Sequence, residues 1–134
     1  MKSLAFIAGV VLLLLGIAGF VPALCPNEML FGVFAADTAQ NLFHVITGIL
    51  AIALGAAGEG PARMAFRLVG IVYALVAVMG FVAARNGDLM GMAINMADNV
   101  LHAAIAGVGL WIGFFSGTAV LPPPGPRHDM REMT

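Results

Sequence analysis

Residues 4–24 read LAFIAGVVLLLLGIAGFVPAL, an uncharged run broken only near its end by Pro22, with Pro26 following. A helix needs about 20 mostly apolar residues to cross a hydrocarbon core of ~30 Å, so this stretch predicts a transmembrane helix over 4–24. The rest of the chain agrees with it. Of 134 residues, 61% are hydrophobic and 10% charged, and the mean hydropathy is +1.01. Soluble domains run at roughly 45–50% apolar and ~25% charged, so the composition excludes a soluble enzyme. A net charge of −1 with only six Lys and Arg excludes a nucleic-acid binder, and the single cysteine, Cys25, excludes an internal disulfide framework.

Further spans are expected over 40–57, 64–84 and 98–120. They are separated by the breaker run Gly58-Glu59-Gly60-Pro61 and by Arg85-Asn86-Gly87-Asp88, and they end at Pro122-Pro123-Pro124. The apolar runs are continuous, whereas a barrel strand alternates, and lipid demands internally satisfied backbone. The expected class is all-α, with residues 1–121 forming an integral membrane four-helix bundle. Residues 122–134 form a Pro-rich cytoplasmic tail, too short to fold alone. The run over 4–24 exceeds a signal-peptide core, and Leu24 before Cys25 is wrong for a lipoprotein site, so it is read as a true span. Lys2, Arg63, Arg67, Arg127 and Arg131 fall on one side of four spans and Arg85 on the other. The positive-inside rule then puts both termini in the cytoplasm of a bacterial inner-membrane protein.

The halves echo each other. Asn41-Leu42-Phe43-His44 matches Asn99-Val100-Leu101-His102, and Gly55 matches Gly113 at the same offset. Gly9-Val10-Val11 matches Gly70-Ile71-Val72, and Gly19-Phe20-Val21 matches Gly80-Phe81-Val82, at a slightly larger offset that a shorter second outer connector absorbs. Two tandem transmembrane hairpins are expected, forming a parallel repeat about an axis along the membrane normal. Glycines such as Gly9, Gly16, Gly48 and Gly70, and the ladder Gly109, Gly113, Gly117, are expected at helix contacts or at faces open to a partner helix.

The polar residues carry the functional question. Asp37, Asn41, His44 and Gly48 share one helical face, and span four carries Asn95, Asp98, Asn99 and His102. Polar groups in a membrane face the bundle interior, so His44 and His102 are expected to meet in the outer leaflet half, with Asp98 one turn from His102 for a carboxylate–imidazole contact. The candidate ligand-binding residues are therefore His44, His102, Asn41, Asn99 and Asp98. Four readings fit. The residues are helix caps and interhelical contacts; the two His ligate haem b; His44, His102 and Asp98 line a quinone or small-molecule pocket, donating to carbonyls or relaying protons; or Cys25, Met29, Met90, Met92 and Met96 hold copper. Trp111 and Tyr73 read as packing residues, Arg63 and Arg67 as snorkelling to phosphates, and His128 as solvated. No P-loop, Rossmann glycine pattern, HExxH, CxxC or Ser-His-Asp set is present, so no catalytic or metal residue is assigned.

The set Gly19-Phe20-Val21-Pro22, Leu30-Phe31-Gly32-Val33, Asn41-Leu42-Phe43-His44 with Gly48, Gly70-Ile71-Val72-Tyr73 and Asn95-Met96-Ala97-Asp98-Asn99-Val100-Leu101-His102 resembles a bacterial family of four-pass membrane proteins, the domain-of-unknown-function 4383 family. The resemblance covers residues 5–118 and departs at Cys25-Pro26 and the tail. The layout is distantly similar to DoxX-type proteins, some linked to quinone chemistry. The resemblance implies the architecture and assigns no activity. The expected role is a non-enzymatic accessory or scaffolding subunit, or a structural membrane protein, with no cofactor. Its expected partners are the bilayer, other membrane subunits or a second copy, and no nucleic acid. The alternative is a haem- or quinone-binding protein using His44 and His102.

Overall fold

A computed structural model describes residues 1–83, 88, 89 and 91–117. Arg85, Met90 and the tail with Arg127, His128 and Arg131 lie outside the described residues, as does the expected end of span four over 118–120. The order is α1 (Lys2–Ala18), a hairpin of β1 (Met29–Leu30) and β2 (Phe34–Ala35), α2 (Thr38–Ala57), α3 (Glu59–Ala83), a hairpin of β3 (Asp88–Leu89) and β4 (Met92–Ala93), and α4 (Met96–Leu110). A π-helical turn, Trp111–Phe115, continues α4.

The fold is mostly helical, as expected, and α2, α3 and α4 with its π turn are each long and apolar enough to cross a bilayer. α1 is apolar but has 17 residues. It stops at Ala18, short of the expected 24. Beyond it, Pro22 and Pro26 each open a short 3-10 turn, and the Cys25 thiol donates to the Ala18 and Gly19 carbonyls at 3.6 and 3.4 Å. α3 begins at Glu59 rather than 64. Pro61 does not break it, because proline in a first turn lacks only an N–H that would be unpaired there anyway. Gly58, at φ 143°, makes the whole turn between α2 and α3.

The two small antiparallel hairpins depart from an all-helical chain. Their strands are two residues long, too short to leave an alternation in the sequence. In the first, Met29 pairs Ala35 and Leu30 pairs Phe34, with Phe31 (φ 54°) and Gly32 (φ 71°) turning the chain between them. In the second, Asp88 pairs Ala93 and Leu89 pairs Met92.

α1 packs mainly on α2, and α3 on α4, with α2 against α3 joining the pairs; α1 and α4 barely touch. The close approaches run through glycine. A methyl on Gly48 would sit 2.5 Å from the Leu13 nitrogen and 2.8 Å from the Gly9 carbonyl oxygen; one on Gly70 would sit 2.6 Å from the Leu110 nitrogen. The core is correspondingly lean: Leu12, Tyr73 and Ala106 at mid-height, Ala5, Ala62 and Phe66 at one end, Val76, Leu89 and Ile94 at the other. Large apolar side chains cover the outside instead, among them Ile46, Leu75, Val82 and Phe115. Such a surface suits lipid and is untenable in water. Trp111, expected to pack inside, is 66% exposed and stacks on Phe115.

Arg63 and Arg67 do not simply reach for phosphates. Arg63 donates to the Ser116 carbonyl at 2.6 Å, and Arg67 Nε donates to the Gly113 carbonyl at 2.8 Å with its guanidinium over the Phe114 ring. They cap carbonyls at the C-terminal end of α4 and its π turn.

Candidate functional site

The first turns of α2 and α4 meet at one end of the bundle, beside the two hairpins. Asp37 opens α2, its Oδ1 accepting from the Gln40 N–H at 2.7 Å. Asn95 opens α4 with a reciprocal capping box. Its Oδ1 accepts from the Asp98 N–H at 3.0 Å, while Asp98 Oδ2 accepts from the Asn95 N–H at 2.8 Å. Asn41 and Asn99 are not the caps; each lies one turn further in.

These caps also tie the halves together. Asp98 Oδ2 accepts from the Ala35 N–H of β2 at 3.1 Å, and Asp98 Oδ1 accepts from Gln40 Nε2 at 2.9 Å. In return, Asp37 Oδ2 accepts from the Ala93 N–H of β4, and Asn95 Nδ2 donates to the Val33 carbonyl at 2.9 Å. Asp98 is fully buried and receives three N–H donors, an arrangement that suits a carboxylate, which accepts only.

One turn inward lie the imidazoles. His44 (5% exposed) and His102 (0%) face each other with ring centroids 5.7 Å apart and planes 30° from parallel. Phe43 and Tyr73 complete a cluster of four rings, each pair within 6.5 Å. The Tyr73 hydroxyl and Thr47 Oγ1 share a 2.9 Å hydrogen bond, and Thr47 also donates back to the Phe43 carbonyl. His44 Nδ1 lies 3.0 Å from the Gln40 carbonyl. A carbonyl can only accept, so Nδ1 carries the ring proton and Nε2 presents a lone pair. Among the described residues, His44 Nε2, both His102 nitrogens, Gln40 Oε1 and both polar atoms of the Asn99 amide are buried without a partner. The expected contact between Asp98 and His102 is therefore absent: the carboxylate is turned to Gln40, Ala35 and Asn95.

The five residues singled out in the sequence thus converge on one region. Asn41 and Asn99 fill the space beside Gly19 and Gly80, where a methyl group would overlap their amides. Gln40, Thr47 and Tyr73 were missed. Gln40 could have been found, since it stands opposite Asp98 at the same separation of 58 residues that relates His44 to His102. Tyr73 left no such signal. As packed, the four rings touch one another, so a porphyrin between the imidazoles would require them to part. A cavity of ≈ 20 Å³ adjoins His44, Gln40, Asn41 and Asp98.

The family described as "Domain of unknown function (DUF4383)" matches residues 2–115. The chain belongs to that family. The DUF4383 match spans every described helix and both hairpins, and hence the whole polar cluster. No curated protein and no solved structure matches the chain.

Proposed function

We propose that this DUF4383 chain is a four-pass inner-membrane protein of two tandem hairpins, both termini cytoplasmic, that binds a small ligand between its halves without transforming it. The observation that carries the ligand is the set of unpartnered polar atoms on His44, His102 and Gln40. A buried polar group without a partner costs about 1–3 kcal/mol, and such groups within a membrane segment are functional by default. A purely structural core would gain by replacing the two imidazoles with apolar side chains.

The duplication draws support from matching contacts. Gly19 accommodates Asn41 as Gly80 accommodates Asn99, and Gly9 meets Ile52 as Gly70 meets Leu110. The orientation rests on Lys2, Arg63 and Arg67 at the end opposite the polar cluster, with Arg127 and Arg131 following in the tail. A second reading, an accessory subunit of a larger assembly or a homo-oligomer, draws on the exposed Val108, Trp111 and Phe115 of α4 and its π turn.

Native mass spectrometry of the full chain released from its own membranes separates the two. A non-covalent small-molecule adduct on the wild-type chain, lost in His44→Gln, is expected. A chain without adduct that travels only with larger subunits overturns ligand binding in favour of the accessory role. A Soret band lost in His44→Ala or His102→Ala would make the ligand haem b.

A further inference from the structure

Between α1 and α4, where the bundle does not close, lies an apolar cavity of ≈ 330 Å³ that includes Leu12, Phe66, Ile105 and Val108 in its walls. That volume is at the small end of the range for organic ligands. Leu15 and Leu101 line both this groove and the ≈ 20 Å³ polar cavity beside His44, so they stand at the junction of the two. The polar cavity has room for about one water-sized group.

Two polar groups in the wall of that small cavity are acceptors with no partner among the described residues. Its wall includes His44 and Gln40, 5% and 3% exposed, each with one polar atom that has no partner. On His44 the atom is Nε2, an acceptor because Nδ1 donates to the Gln40 carbonyl. On Gln40 it is the amide oxygen, since Nε2 is spent on Asp98. Asp98 also lines the cavity with three N–H donors already on its carboxylate, and Asn41 lines it with a side-chain amide that can both donate and accept. Two buried acceptors call for a ligand that brings hydrogen.

We infer that the groove and cavity together bind an amphiphile with a single apolar tail and a hydroxyl head, the tail along α1 and α4 and the O–H donated to His44 Nε2 or Gln40 Oε1. This rests on the ligand-binding reading above and reverses the sequence expectation of histidines donating to a carbonyl. A quinol or long-chain alcohol fits; the corresponding quinone, aldehyde or ether can accept from the Asn41 amide but brings no hydrogen to His44 Nε2 or Gln40 Oε1.

The test uses the full chain in nanodiscs with 1-dodecanol, its methyl ether and dodecanal as probes at matched mole ratios to lipid. The readouts are the melting temperature and the ¹⁵N resonance of His44 Nε2. Dodecanol is expected to raise the melting temperature and move the resonance, with the ether and the aldehyde roughly tenfold weaker. Ala104→Phe, which fills the groove from an exposed position without touching the polar cluster, should abolish the dodecanol effect while leaving the unliganded resonance in place. If the aldehyde or ether moves the resonance as strongly as the alcohol, ligand binding survives and the hydroxyl assignment falls. If no probe acts on the wild-type chain, the cavity holds water alone and both fall. An alcohol effect that persists in Ala104→Phe overturns the groove as the seat of the tail.

Discussion

Asp37 and Asp98 each serve the first turn of their own helix and each accept a backbone N–H from the hairpin of the opposite half, Ala93 for Asp37 and Ala35 for Asp98. The two halves are therefore cross-linked by the groups that start their second helices. Hydrophobicity cannot do this between helices in lipid, so polar contacts and close packing must.

The two carboxylates are not equal. Asp98 is fully buried with three donors on it, while Asp37 is half-buried with two. Asp98→Ala strands the Gln40 amide and the Ala35 N–H together and should cost about 3 kcal/mol. Asp37→Ala should cost roughly 1–2 kcal/mol, near the value of a lost cap. Unfolding in mixed micelles measures both; equal losses would show that burial of Asp98 adds nothing.

The glycines divide by what surrounds them. Gly48→Ala and Gly70→Ala drive a methyl into facing backbone and should each destabilise by about 1–3 kcal/mol. Gly107 has nothing within 4 Å of an added methyl. Gly107→Ala should be neutral or stabilising by up to ~1 kcal/mol through helix propensity. Thermal melts of the three variants in one detergent give the order directly, and a destabilising Gly107→Ala would mean that its face is covered.

Arg67 holds the Gly113 carbonyl at the π turn. Arg67→Met keeps the stem and removes the donor, so amide exchange should quicken over 113–117 while α2 stays protected. Hydrogen exchange with mass spectrometry resolves this; protection unchanged across the π turn would leave Arg67 with no capping role.

The orientation is testable with the chain's single cysteine removed. In a Cys25→Ser background, Val33→Cys, on the exposed hairpin turn, should react with an impermeant maleimide in spheroplasts. Gly60→Cys, at the start of α3, should react only after the membrane is opened. The reverse pattern, or labelling of both from outside, contradicts a four-pass chain with cytoplasmic termini.

The meeting of His44 and His102 was legible because a polar residue in an apolar run has few places to go, and because the Asn-x-x-His pattern occurs twice. The Gly58–Glu59 turn is also marked in the sequence, whereas Pro61 looks like a break and in fact sits in the first turn of α3. What failed to show was which apolar residues face inward. In a helix apolar on all sides, periodicity carries no burial information, so Trp111 could pass for core and Tyr73 for filler. The hairpins leave no trace in the sequence because two-residue strands are fixed by bonds from the opposite half of the chain, to Asp37, Asn95 and Asp98, and such bonds leave no local pattern.

The most direct measurement concerns the imidazoles themselves. The chain has three histidines, so His128→Gln leaves only His44 and His102. Solid-state NMR of this variant, labelled at histidine with ¹³C and ¹⁵N in bilayers, should give a cross-peak between the two rings, whose centroids lie 5.7 Å apart, with no exchange with bulk water at either. Two isolated rings that exchange freely with water would contradict a histidine pair enclosed between the halves of the bundle.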